Sequence, residues 1–190
     1  MNFGIAAALV SHLARYEGLH MQTGRIIFLN GTSSAGKSTL AKALRAALRE
    51  PFCYYASDQL AEAGFRTIKR ADAPDERAKF FDGFHRSIAA FAEGGNDLIV
   101  EHIVEEASWW QQLQQLLEHL DTFWIGVHAP LAEIERRERE RGDRSAGEGR
   151  YHLKTHDYCQ YDIEIDTSQA QDLVISAIAS ARRGRPTIVP

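Results

Sequence analysis

Gly31-Thr32-Ser33-Ser34-Ala35-Gly36-Lys37-Ser38 matches the pattern G-x-x-x-x-G-K-[ST] at every fixed position. The apolar run Ile26-Ile27-Phe28-Leu29, bracketed by Arg25 and Asn30, precedes it, and Thr39-Leu40-Ala41-Lys42-Ala43-Leu44 follows it. Strand, glycine loop and helix thus come in the order that holding a polyphosphate requires. Gly31 and Gly36 are expected to take backbone angles closed to other residues, so that successive N–H groups turn inward around an anion. The helix starting near Lys37 adds the positive end of its dipole. On this reading Gly31, Thr32, Ser33, Ser34, Ala35, Gly36, Lys37, Ser38 and Thr39 bind the nucleotide phosphates. Lys37 reaches the β- and γ-phosphates, and the Ser38 hydroxyl ligates Mg²⁺. A glycine turn followed by an accidental lysine would not account for the flanking strand and helix.

Outward from the loop, apolar runs alternate with amphipathic stretches, the pattern of strand–helix units wound into a parallel sheet. Strands are predicted at Arg25–Asn30, Phe52–Ser57, Asp97–His102, Thr122–His128 and Tyr161–Asp166. Helices are predicted over 37–48, 75–93, 107–120, from Pro130 onward and over 169–181, with Pro51 ending the first and Pro130 opening the fourth. In the long helix, Phe80, Phe84 and Phe91 follow helical spacing and are read as core, in preference to a substrate contact. The irregular stretch from Asp58 through Gly64-Phe65-Arg66-Thr67 to Pro74 is expected to face the substrate.

The chain has 190 residues, 44% hydrophobic and 25% charged, which suits one domain with a full core. Residues 25–190 are assigned to that domain and 1–24 to an N-terminal extension, helical or partly disordered. Phe3 to Val10 is apolar, but no Lys or Arg precedes it, which argues against a signal peptide; Met21 is an alternative start. A net charge of −4 argues against general nucleic-acid binding. Cys53 and Cys159 show no metal-ligand spacing and read as reduced, partly buried core residues, which implies a cytoplasmic location. No apolar run is long enough to span a membrane. A small-molecule substrate is the expected partner, and a homo-oligomer is left open.

A phosphate loop alone fits several classes. Guanine-specific proteins resemble one another in Asn-Lys-x-Asp and Asp-x-x-Gly motifs. None of the three asparagines here precedes lysine, and no aspartate has glycine three residues later. A large motor would need more chain. A small kinase fits, and three positions support it. Asp58 ends the second predicted strand, where ligands collect at the carboxyl edge of such sheets, and a carboxylate there can take a proton from an attacking hydroxyl or align it; a helix N-cap is the plainer role. Arg137, Arg141 and Arg144 fall at i, i+4 and i+7, one face of a continued helix, and can neutralise charge and close as a lid, with Gly142 and Ser145 to Gly149 as its mobile part. Arg136 and Arg139 read instead as a solvated face paired with glutamates. Glu101, at the exit of the third strand, is a candidate metal ligand through water; His102, Glu105 and Glu106 are candidates for the acceptor pocket.

Together these residues resemble the chloramphenicol phosphotransferase-like family. The resemblance runs from about Arg25 to the carboxyl end. It is carried by Ile27-Phe28-Leu29-Asn30-Gly31, Ser33-Ser34-Ala35-Gly36-Lys37-Ser38, Ser57-Asp58-Gln59-Leu60, Phe123-Trp124-Ile125-Gly126-Val127, Arg141-Gly142-Asp143-Arg144 and Tyr161-Asp162-Ile163-Glu164-Ile165-Asp166-Thr167. It implies an ATP- and Mg²⁺-dependent O-phosphotransferase that modifies a small hydroxylated molecule, with Asp58 as general base and Arg137, Arg141 and Arg144 at lid positions. Glu101-His102 stands where the antibiotic-modifying member carries Asp-Asp, and residues 64–95 are not recognisably similar.

The expected protein is therefore an α/β, three-layer phosphate-loop fold with five parallel strands, flanking helices and an arginine lid. It acts as a kinase on a chloramphenicol-type antibiotic or related metabolite. The same chemistry on a nucleotide-sugar or other metabolite, and a non-catalytic ATP-binding regulatory module, are the alternatives.

Overall fold

The computed structural model describes residues 22–66, 74–141 and 147–183. The expectations for the extension through Met21, for Thr67 to Ala73, and for the lid at Gly142–Ala146, including Arg144, lie outside these residues.

Five strands form one parallel sheet in the order β2-β3-β1-β4-β5: β1 Ile26–Asn30, β2 Cys53–Ala56, β3 Leu98–His102, β4 Thr122–His128 and β5 Ile163–Asp166. The helices are α1 Lys37–Ala47, α2 Ser57–Glu62, α3 Pro74–Glu93, α4 Ala107–Leu117, α5 Leu131–Arg141, α6 Glu148–His152 and α7 Gln171–Arg183, with a 3₁₀ turn at Leu153–Asp157. All five residues of β1 are buried, as befits a central parallel strand covered on both faces.

Alternation along β1 separates two cores. Ile26 and Phe28 face Phe84 and Ile88 of α3 and Trp110 and Leu113 of α4. Ile27 and Leu29 face Leu40 and Leu44 of α1 and Val174 and Ile178 of α7. Side chains of period two on the strand meet those of period 3.6 on the helices, which gives the three layers. Because every strand is parallel, their carboxyl ends share one edge: Asn30 is in register with His102 on one side and Gly126 on the other, Ala56 with Glu101, and His128 with Asp166.

Several local expectations are corrected. The second strand ends at Ala56, and Ser57 already begins a helix, because Gln59 Oε1 accepts the Ala56 N–H and closes the turn. The fifth strand starts two residues later than predicted, at Ile163. In α3 the buried stripe is Phe81, Phe84, His85, Ile88, Ala89 and Ala92, so the aromatic register is shifted: Phe80 is half-buried, and Phe91 is exposed and packs against the ring of Tyr55. Cys159 is buried, but Cys53 is exposed, because it opens an edge strand.

Candidate functional site

The loop between β1 and α1 is shaped by its neighbours as much as by its glycines. Gly36 takes the left-handed conformation, φ 94°, as expected. At Gly31 the requirement is space instead: a Cβ there would lie 2.2 Å from the Val127 carbonyl oxygen of β4. Ser34, not Gly31, is the second loop residue with positive φ, at 60°. Lys37 is buried, and its Nζ donates to the carbonyls of Gly31 and Thr32 at 3.0 and 2.9 Å. Among the described residues no side chain caps α1, so its first N–H groups face the loop. The hydroxyls of Ser33 and Ser34 are buried and find no hydrogen-bond partner among the described residues. Uncapped N–H groups, orphaned hydroxyls and a buried ammonium form a cradle suited to phosphate.

Ser38 and Glu101 converge from α1 and β3. Ser38 Oγ donates to Glu101 Oε1 at 2.8 Å, and Tyr54 on β2 donates to Glu101 Oε2. Burial, together with the Glu101 carboxylate, pushes the Tyr54 hydroxyl well above its ordinary pKa and keeps it a donor. Hydroxyl and carboxylate oxygens suit a hard cation. Among the described residues no three His, Cys, Asp or Glu converge to form a metal site. The pair therefore fits Mg²⁺, which takes most of its shell from phosphates and water.

On the other side of the loop, α5 delivers Arg137. Its Nε donates to Glu133 at 2.7 Å, its Nη1 to the Ser34 carbonyl and to Thr167 Oγ1 at 3.3 and 3.0 Å, and its Nη2 to the Thr167 carbonyl. Thr167, just past β5, passes its own proton to the Ala35 carbonyl at 2.6 Å. Arg136 and Arg137 bonded to Glu133 bring its carboxyl down to about 2. Arg136 spans Glu133 and Glu140 on the exposed face, as its spacing predicted. Arg141 ends α5 and lines the cavity. The base of α6 is fastened to the same loop: Glu138, buried, accepts the N–H groups of Gly147 and Gly149, and Thr32 Oγ1 donates to the Gly149 carbonyl. A Cβ on Gly149 would lie 2.4 Å from Ile134 Cγ2 and 3.1 Å from the Ser33 carbonyl.

One cavity of about 1040 Å³ joins these parts, and its walls include Lys37, Ser38, Asp58, Glu101, Arg137 and Arg141. Thr39 also lines it. Asp58 is exposed in the first turn of α2, whose N-cap is Ala56, so capping is not its role. His102 and Glu105 reach the cavity; Glu106 does not, standing instead at the exposed N-cap of α4.

The cavity is also lined by Arg77 and His152, which sequence reasoning did not single out. Arg77 of α3 donates to Glu105 at 2.5 Å and lies over the rings of Phe81 and Trp109, at 4.7 and 5.2 Å from their centroids. His152 Nε2 sits 3.7 Å from the other Glu105 oxygen. Burial alone would raise the Glu105 carboxyl, but His152 and Arg77 outweigh it and the net shift is downward. His102 is fully buried between Ser57 and His85; burial holds its pKa well below the ordinary value, and that of His85 below it as well. The i, i+4 pair Arg77 and Phe81 was a readable signal for this region; His152 gave none, since it ends α6, far along the chain from Glu105.

A protein of Mycobacterium tuberculosis (strain ATCC 25618 / H37Rv), provisionally named an O-phosphotransferase, is 28% identical over 174 residues, covering 78% of this chain and 77% of its own. Two solved structures share the fold. One is the M. tuberculosis APS kinase in complex with AMPPNP and APS (TM-score 0.66, 18% identity, 85% of this chain and 99% of that one). The other is the Deinococcus radiodurans tunicamycin resistance protein (TM-score 0.62, 20% identity, 88% and 99%). Residues 24–181 match the family described as chloramphenicol phosphotransferase-like protein, and the chain belongs to that family.

Proposed function

We propose that this ATP-dependent phosphotransferase moves the γ-phosphate of ATP to a hydroxyl of a small molecule, a chloramphenicol-type antibiotic or a related metabolite. The observation that carries this reading is the shared cavity whose walls include Lys37 and Ser38 together with Asp58, Ser57 and His102. Lys37 leaves the Gly31 and Thr32 carbonyls to hold the β- and γ-phosphates, while Arg137 and Arg141 neutralise the spreading charge. Arg144 is assigned to the same group. Mg²⁺, held by Ser38 and through water by Glu101, supplies further charge neutralisation when bound. Asp58 takes the proton of the attacking hydroxyl or aligns it. The reaction is proposed to run in the cytoplasm.

ATP consumption is expected to depend on an added hydroxyl compound and to vanish in Asp58→Asn while nucleotide binding persists. Transfer that survives in Asp58→Asn would overturn the assignment of the base. ATP binding with no consumption across a broad set of hydroxylated antibiotics and metabolites would instead favour a regulatory module.

A further inference from the structure

Beneath the acceptor end of the cavity runs a chain of five side chains whose hydrogen-bond directions follow from one fixed end. Asp82 on α3 is held by Arg86, whose Nε lies 3.1 and 2.9 Å from its two oxygens. An ionised carboxylate only accepts, so Gln112 of α4 must turn its amide nitrogen to Asp82, at 2.5 Å. The Gln112 oxygen then faces His85 Nδ1 at 3.1 Å, and Nδ1 must carry the proton. Neutral His85 therefore offers a bare Nε2, which lies 3.1 Å from His102 Nε2, and the proton between them belongs to His102. That leaves His102 Nδ1 without a proton, 3.3 Å from Ser57 Oγ, and Ser57 must donate to it. Asp82 thus dictates the direction of every bond up to the cavity wall. His85 and His102 are 0% and 3% exposed, and Trp109 stacks on the His102 ring at 5.8 Å between centroids. Water therefore has little access with which to reset the order.

Ser57 lines the same cavity as Asp58, which follows it in the first turn of α2. We infer that Ser57 is a specificity-determining residue: its proton is committed to His102, so its oxygen shows the cavity only lone pairs and selects an acceptor that offers a second hydroxyl beside the one Asp58 receives. The substrate class is then a 1,2- or 1,3-diol, one hydroxyl phosphorylated and its neighbour donating to Ser57. His85, His102 and Gln112 are positioning residues that act through Ser57. The inference rests on the transferase reading above.

Two measurements on the full chain test it. In protein labelled with ¹⁵N-histidine, long-range ¹H–¹⁵N spectra at pH 7.5 should show His85 as the Nδ1–H tautomer and His102 as the Nε2–H tautomer; the reverse pair would overturn the chain of donors. Phosphate transfer from Mg²⁺-ATP is then compared for a panel of polyols and sugars bearing 1,2- or 1,3-diols and for their singly O-methylated counterparts. Methylating the non-reacting hydroxyl should lower kcat/KM at least tenfold in the wild type, because a lone pair left unpaired in a buried site is costly. Ser57→Ala should flatten that ratio. His102→Phe should shift it towards the ether, since the released Ser57 proton can donate to an ether oxygen; a purely structural role for His102 would lower both rates together. Equal transfer to diol and ether in the wild type, or discrimination that survives Ser57→Ala, overturns the inference and leaves the transferase reading intact. Transfer to no hydroxyl compound overturns both.

Discussion

Ser38 Oγ and Glu101 Oε1 are joined by a 2.8 Å hydrogen bond that ties the end of the phosphate loop to the exit of β3. With Tyr54 on its second oxygen, Glu101 is oriented from both sides. Glu101→Gln should therefore weaken Mg²⁺-dependent ATP binding and lower transfer by about 10²- to 10³-fold, the usual cost of one charge-stabilising group. Calorimetric titration of ATP with and without Mg²⁺ checks this: affinity without the cation should hardly change.

Arg137 braces the loop through Ser34 and Thr167 while also facing the cavity. Arg137→Ala is expected to lower kcat about 10²-fold and stability by ~1 kcal/mol. Arg137→Lys should recover little of either, since an ammonium cannot reproduce the planar fork that reaches Glu133, Ser34 and Thr167 together. Single-turnover rates and urea midpoints separate the two effects.

Gly31→Ala should cost about 1–3 kcal/mol by overpacking, because the new methyl meets a backbone carbonyl of β4 that cannot step aside. Gly64→Ala makes a control of the opposite kind: its φ is 89° with open space around it, so only backbone strain of about 1 kcal/mol applies. Urea unfolding of both variants compares crowding with torsion.

His156 packs on His128 at 3.9 Å between ring centroids, bonds Tyr161, and has its pKa lowered to about 4, first by burial and then by His128 and Lys37. A folded-state pKa below the ordinary 6.5 means that the unfolded chain takes up a proton first as pH falls. The stability present above pH 6.5 is thus lost progressively towards pH 4. His85 and His102 act in the same direction. Unfolding free energy should fall between pH 7 and pH 5, with His156 responsible for on the order of 1 kcal/mol after allowance for its partial exposure. His156→Gln should flatten the profile measured by denaturant titration.

Much of the fold was legible because Ile26 to Leu29 and Phe123 to Val127 are uninterrupted apolar runs, and doubly covered strands leave that mark. The phosphate cradle was legible because its residues are contiguous. The aromatic register in α3 was misjudged because Phe80 and Phe81 are neighbours, and spacing alone cannot say which one faces the sheet. Arg77 and His152 escaped notice for a different reason: their meaning depends on Glu105, a partner brought from another part of the chain by the sheet order.

The lock between Thr32, Glu138 and Gly149 also limits how such a sequence can drift. With Gly149 pressed between Ile134 and the Ser33 carbonyl, and both Glu138 oxygens spent on backbone N–H groups, no one of these positions can change size or polarity alone. A lineage that acquires a side chain at position 149 must already have shortened position 134 or moved α6 away from the loop. These scattered positions should therefore vary as a set, with an evolutionary tempo distinct from that of the acceptor wall.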